Sequence, residues 1–295
     1  MKSKGKLRSY ILGYLLILPS FCFLFGFTYF PVIRSFFLSL WQKGRGGVTV
    51  FAGLANYGEL FTDPLFRKVI LNNLVFAGAT IVPSLTLGLI LALLLNKALR
   101  GRGFFRFALF YPTMIPVSAA SMVWIFLFAQ HYGIINKVFS IIGLPSRIDW
   151  LHSIPYAMVS IIIVSIWKSV GYNMLLFLAG LQSVEESYYE AAYLEGANSW
   201  QRFKSITFPL LTPMTFFIVL TSIIGSFQGM DAIYTMTNGG PYNSTNMILY
   251  FIYQHGFRYW NTGYASTASS ILFIILLILT MIYFKGLQRY VTYER

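Results

Sequence analysis

Six stretches of the chain are apolar for long enough to cross a bilayer, which takes about 20 residues of helix, and short polar segments separate them. They lie near 10–40, 69–96, 104–128, 155–181, 206–229 and 267–288. The pattern predicts an all-α integral membrane protein with six transmembrane helices. The first run follows Lys2, Lys4, Lys6 and Arg8. It is too long for a signal peptide and lacks a small-residue cleavage site, so it is expected to be a retained span behind a short tail, 1–9. Pro83, Pro112 and Pro116 fall inside or at the ends of spans two and three. Each removes a backbone donor and bends a helix, which either shapes a cavity or serves packing alone.

Composition sharpens the class. Hydrophobic residues make up 57% of the chain and charged residues 11%, against about 25% charge in a soluble domain. The formal charge of +13 fits cations flanking membrane spans and facing anionic lipid better than nucleic acid. With the N-terminus inside, the cytoplasmic segments hold 13 Lys and Arg, among them Lys97, Arg100, Arg102, Arg106, Arg202 and Lys204. The outer segments, longer in total, hold 7, including Lys43, Arg45 and Lys137. Both termini are therefore expected in the cytoplasm, with 10–295 forming one transmembrane domain. The single cysteine, Cys22, excludes an intrachain disulfide and a cysteine metal site. No phosphate-loop motif, no metalloprotease or serine-hydrolase signature and no paired carboxylates occur, so neither catalytic nor metal-binding residues are expected. None of the nine acidic residues lies clearly mid-membrane, which argues against an ion-coupled secondary transporter.

Polar residues within the spans are the next signal. Lys168 sits near the middle of span four, beside Trp167, Ser169, Tyr172 and Asn173. A charge at that depth costs about 2.5–3.5 kcal/mol on insertion scales, so it should face a partner helix or water. Span five carries Thr221, Ser222, Ser226, Gln228 and Asp231. Hydroxyls, amides and aromatic faces together suit a polyol. The plainer alternative is that these groups join helix to helix. Lys168 and Asp231 could also pair with each other.

The cytoplasmic loop 183–205 is more elaborate than a connector needs. It reads Glu190-Ala191-Ala192, three residues, Gly196, nine residues, then Ile206-x-Phe208-Pro209. A helical start, a glycine turn, a second amphipathic turn and a proline near the first turn of the next span make a small docking element. This spacing resembles the EAA loop of permease subunits of bacterial ABC importers. Further pieces narrow the likeness: Gly53-Leu54-x-Asn56-Tyr57, Trp167-Lys168, Leu178–Ser183, the run Thr237-Asn238-Gly239-Gly240-Pro241 with Thr245, Tyr250-x-Ile252-Tyr253, and Gly263-Tyr264-Ala265-Ser266. Together they resemble the carbohydrate-uptake permeases, the group that includes maltose and glycerol-phosphate importers.

The resemblance implies a MetI-like permease fold in the bacterial inner membrane, with no enzymatic activity of its own. It implies a second permease subunit, two ABC ATPase subunits that bind ATP and Mg, and an extracytoplasmic solute-binding protein; this chain itself binds no cofactor. Glu190, Ala191, Ala192, Glu195, Gly196, Ile206 and Pro209 are the implied ATPase-coupling residues. Trp167, Lys168, Tyr172, Asn173, Ser222, Ser226 and Gln228 are the candidate substrate pathway. A glycerol phosphate or a peptide is the alternative cargo, and an ion-coupled carrier the alternative class.

Overall fold

The computed structural model describes residues 2–43, 48–97, 100–145 and 147–287. Arg45, Arg289, Arg295 and the end of the sixth span at 288 lie outside the described residues. The helices long and apolar enough to span a membrane number five, or six when one bent pair counts as a span. The chain divides into two compact units, one of residues up to Asp63 with Ile252–Phe273, the other of Pro64–Phe251 with Ile274 onward.

In the first unit, α1 (Lys2–Leu24) continues through a π-helical turn, Phe25–Tyr29, into α2 (Phe30–Leu38). The helix thus begins at Lys2, inside the stretch expected as a tail. No residue of α2 is buried. A two-stranded antiparallel ribbon follows, β1 (Trp41–Lys43) with β2 (Thr49–Phe51), pairing Trp41 with Phe51. It is a small addition to a chain that is otherwise helical, as expected. Three residues per strand are too few to show as a periodic signal. Next come α3 (Ala55–Thr62) and, after the second unit, the start of α15 (Thr262–Leu287). The buried Asn56 amide donates to Ser39 O at 2.8 Å and Trp41 O at 2.9 Å. Thr267 Oγ1 donates to the same Ser39 carbonyl at 3.2 Å. These bonds close the end of α2, where its carbonyls lose their helical partners.

The second unit is a helical bundle. α4 (Pro64–Asn96), α8 (Tyr156–Gln182) and α12 (Thr212–Gln228) share a core of Ala92, Leu95, Met174, Phe177, Leu181, Leu211 and Ile218. α4 runs through Pro83 without a break. Span three does break. It consists of α5 (Arg102–Met114) and α6 (Val117–Leu127), inclined at 101°. The span expected over 104–128 is therefore two helices, because Pro116 has no N–H to give the carbonyl four residues back. After span three, α7 (Ile134–Ile141) and the following loop pack Trp150 against Phe128, Val164 and Met236. Trp150 Nε1 donates to Asn136 Oδ1 at 2.9 Å.

The Gly239-Gly240-Pro241 loop is anchored on α4. Lys68 Nζ donates to Tyr242 O at 2.6 Å, and Asn72 Nδ2 donates to Asn243 O and Asn246 O at 2.9 Å each. Asn73, fully buried, donates to Ser226 O at 3.2 Å and accepts from Ile248 N–H at 2.7 Å. The loop leads into α14 (Ile248–Tyr253).

Candidate functional site

The coupling segment starts with α9 (Glu186–Leu194). Glu186 in the first turn suits the helix dipole. The helix ends at Gly196, whose φ is +79°. Gly196 N–H donates to Tyr193 O at 3.0 Å, and Ala197 N–H donates to Ala192 O at 2.9 Å. That pair of bonds is a Schellman ending, and it requires a left-handed residue that only glycine adopts without strain. Asn198 and Gln201 then form a reciprocal capping box for α10 (Ser199–Arg202). A π-helical turn, Phe203–Thr207, and α11 (Phe208–Leu210) lead into α12. Tyr189 Oη lies 3.0 Å from Thr207 Oγ1, tying α9 to the entry of span five.

Glu190, Ala191, Glu195 and Gly196 are exposed, while Ala192, Ile206 and Pro209 are half-buried. Between and beside the acids stand Tyr193 (70% exposed), Leu194 (85%) and Trp200 (68%). Isolated exposed apolar residues are ordinary, but three large ones on a short capped element make an unusual surface. They were missed among the candidate residues, although their size in a polar loop is visible in the sequence.

Deeper in the bundle, α4, α5, α6, α8, α12 and α13 (Asp231–Met236) enclose a cavity of about 350 Å³. Of the candidate pathway residues, Lys168, Tyr172, Ser222 and Ser226 line it. Trp167, Asn173 and Gln228 do not. Trp167 packs edge-on against Trp124 at 5.5 Å. Asn173 is buried and donates to Ser84 Oγ at 3.3 Å. Gln228 is exposed at the end of α12. Asp231 completes the wall, as do Thr80, Ser84, Thr113 and Ser165. The first two belong to a stripe of small residues, Thr80, Ser84, Gly88 and Ala92, all buried along α4. Four-residue spacing places such a stripe on one helix face, so it was readable.

Lys168 does not pair with Asp231. Its Nζ donates to Pro112 O and Thr113 O at 3.2 Å each, and to Ile115 O. Two of these carbonyls belong to the last turn of α5 and the third to its C-cap, at the bend. Pro116 cannot supply the amide that Pro112 O would otherwise accept, and the negative end of the α5 dipole lies at the same place. In return, Thr113 Oγ1 donates to Lys168 O at 3.1 Å. The two helices come this close because residue 171 is glycine. A Cβ there would stand 2.0 Å from Leu109 O. Lys168 is therefore a brace for the broken span as well as a cavity residue. The lining is mostly apolar carbon with a few polar groups, as is usual for small-molecule sites.

Residues 84–292 match the family described as "Binding-protein-dependent transport system inner membrane component". The chain is 35% identical over 289 residues to the lactose transport system permease protein LacF of Rhizobium radiobacter, covering 96% of each chain. It is 32% identical to the sn-glycerol-3-phosphate transport system permease protein UgpA of Agrobacterium fabrum, covering 96% of this chain and 97% of the other. It shares the fold of a chain in a bacterial alginate ABC transporter crystallised with an alginate pentasaccharide-bound periplasmic protein. The TM-score is 0.87 at 21% identity, over 100% of both chains. The matched region takes in α8, the capped α9–α10 element and α12, and the chain belongs to the family of binding-protein-dependent transport system inner membrane components.

Proposed function

We propose that this permease carries a sugar or oligosaccharide into a bacterial cell across the inner membrane, driven by separate ATPase subunits. One observation carries the reading. An exposed, rigidly ended docking element, α9–α10, is hydrogen-bonded through Tyr189 and Thr207 to the entry of α12, the helix whose Ser222 and Ser226 line the cavity. A push on the element is thereby delivered to a wall of the solute path.

In this reading Tyr193, Leu194 and Trp200 seat in an apolar recess of an ATPase, while Glu190 and Glu195 meet its basic rim. Ala191 and Ala192 keep α9 slim for close approach, Gly196 sets the turn, and Ile206 with Pro209 fixes the entry of the next span. ATP and Mg bind the ATPase pair. A second permease subunit completes the cavity, and a solute-binding protein delivers the cargo from outside. Tyr172 offers a ring face and a hydroxyl to the solute, and Ser222 and Ser226 offer oxygens. Trp167, Asn173 and Gln228 act outside the cavity wall.

The test uses the complete transporter in proteoliposomes with Gly196→Pro or Glu190→Lys. Both variants should assemble, keep basal ATP hydrolysis and lose at least nine-tenths of solute uptake. Normal ATP-driven uptake in both would refute the docking role.

A further inference from the structure

The cavity carries two charged side chains among its described lining residues, Lys168 and Asp231, and they are not equivalent. An ammonium has three donors. Those of Lys168 go to the carbonyls of Pro112, Thr113 and Ile115, so no N–H remains for a solute. Asp231 is exposed, and its carboxylate carries only acceptor sites.

The hydroxyls lean the same way. Seven serines and threonines line the cavity, and five of them give their hydrogen to a backbone carbonyl. Thr80 donates to Phe76 O at 2.6 Å, Ser84 to Ile81 O at 3.0 Å and Ser169 to Ser165 O at 2.8 Å. Ser226 donates to Ile223 O at 2.7 Å and Thr113 to Lys168 O at 3.1 Å. A hydroxyl whose hydrogen is committed presents lone pairs only. The wall is thus rich in acceptors beside one carboxylate, with Ser165, Ser222 and Tyr172 as the remaining hydroxyls and the Lys168 charge turned onto the carbonyls of the bend.

From this the geometry points to a donor-bearing cargo: a neutral polyhydroxylated sugar or an amino sugar, with Asp231 as the residue that rejects anionic ones. A sugar phosphate or uronate brings acceptors to acceptors and a negative charge to a carboxylate. Water around the exposed Asp231 moderates the repulsion but does not remove it at contact distance, and specificity built on a repulsive group is general. A free hydroxyl or ammonium on the cargo instead finds a charge-assisted bond at Asp231. This rests on the sugar-importer reading and narrows it. It sides with a neutral cargo, although one relative is a glycerol-phosphate permease by name.

The experiment measures weak binding directly, without the solute-binding protein choosing the cargo. The membrane complex of both permeases and both ATPases is held in nanodiscs. It is studied by saturation-transfer difference NMR with maltotriose, glucosamine, glycerol 3-phosphate and trigalacturonate as probes. Maltotriose and glucosamine should give signals and the two anions none. Asp231→Asn should weaken the signals about five-fold, since a neutral acceptor is roughly half as strong. Asp231→Lys should abolish them and admit the anions. Equal signals from neutral and anionic probes, or signals unchanged in both variants, overturn the inference and leave the sugar reading standing. No signal from any of the four probes overturns both.

Discussion

Replacing Lys168 by methionine separates a brace from a solute ligand. The substitution keeps the chain length and removes the three N–H donors at the 101° bend between α5 and α6. Hydrogen bonds to a charged group contribute about 1.5–3 kcal/mol each, so three amount to roughly 4.5–9 kcal/mol. The ammonium itself costs about 2.5–3.5 kcal/mol to hold at membrane depth, and methionine escapes that cost. The difference is a loss of about 1–6 kcal/mol, centred near 4. For a domain of this size each kcal/mol moves the midpoint by roughly 2–4 °C, so the assembled complex should melt about 5–15 °C lower. The fraction surviving size-exclusion chromatography after stepped heating reads this out. Lys168→Arg should recover part of the loss, because a planar fork cannot reach three carbonyls as a compact ammonium does. The reasoning fails if Lys168→Met melts with the parent protein while its solute affinity drops ten-fold, for Lys168 would then be a ligand and no brace.

Three further substitutions probe the same structure. Gly171→Val places a Cβ 2.0 Å from Leu109 O, so overpacking should cost about 3 kcal/mol or more; fluorescence-detected size exclusion should show little assembled complex, and a normal peak would contradict the close approach of α5 and α8. Asn73→Leu strips a partner from Ile248 N–H and Ser226 O, a loss of about 2–4 kcal/mol, and should open the 237–247 loop to limited proteolysis; an unchanged cleavage pattern would show the loop to be held otherwise. Tyr189→Phe removes the bond to Thr207 at about 1 kcal/mol and should lower solute moved per ATP with basal hydrolysis intact, whereas an unchanged ratio would place the coupling path elsewhere.

The long apolar runs were legible as helices because a membrane span must satisfy its backbone internally, which leaves an apolar stretch no other form. The turn at Gly196 was legible for a similarly local reason. A Schellman ending is written in one residue and realised by bonds to residues three and five positions back. The role of Lys168 was not. Its depth marked it as costly and in need of partners, but the partners are carbonyls 53 to 56 residues away on a neighbouring helix. Pro116 was visible as a bend, yet 101° depends on what fills the gap, and a lysine on another span fills it. Asn173 shows the same limit. An amide inside a span reads equally as a pathway group or as a helix joint, and here it donates to Ser84 of the cavity wall without lining the cavity itself. The ribbon of β1 and β2 is too short to carry a pattern at all.

The geometry of α12 explains why a loop at the membrane surface can act on a cavity inside it. Thr207, which holds Tyr189, and Ser222, which lines the cavity, are 15 residues apart along the chain. Within α12 alone, Thr212 to Ser222 is 10 residues, roughly 15 Å at 1.5 Å of rise per residue, about half of a bilayer core about 30 Å thick. Between Thr207 and Ser222, Leu211 is almost wholly buried in the core shared by α4, α8 and α12, and the chain turns there before α12 begins. A packed core resists compression and moves between discrete arrangements. In the proposed coupling, a displacement of α9 is not absorbed at Leu211 but tilts α12 about that point. The polar residues of the cavity wall lie 11 and 15 positions further on. Ser222 and Ser226 occupy those positions, and the carbonyl of Ser226 is held by Asn73 of α4. The segment is thus bonded to α9 at its entry and to α4 at the cavity wall, so the proposed push would reach the wall against a fixed contact.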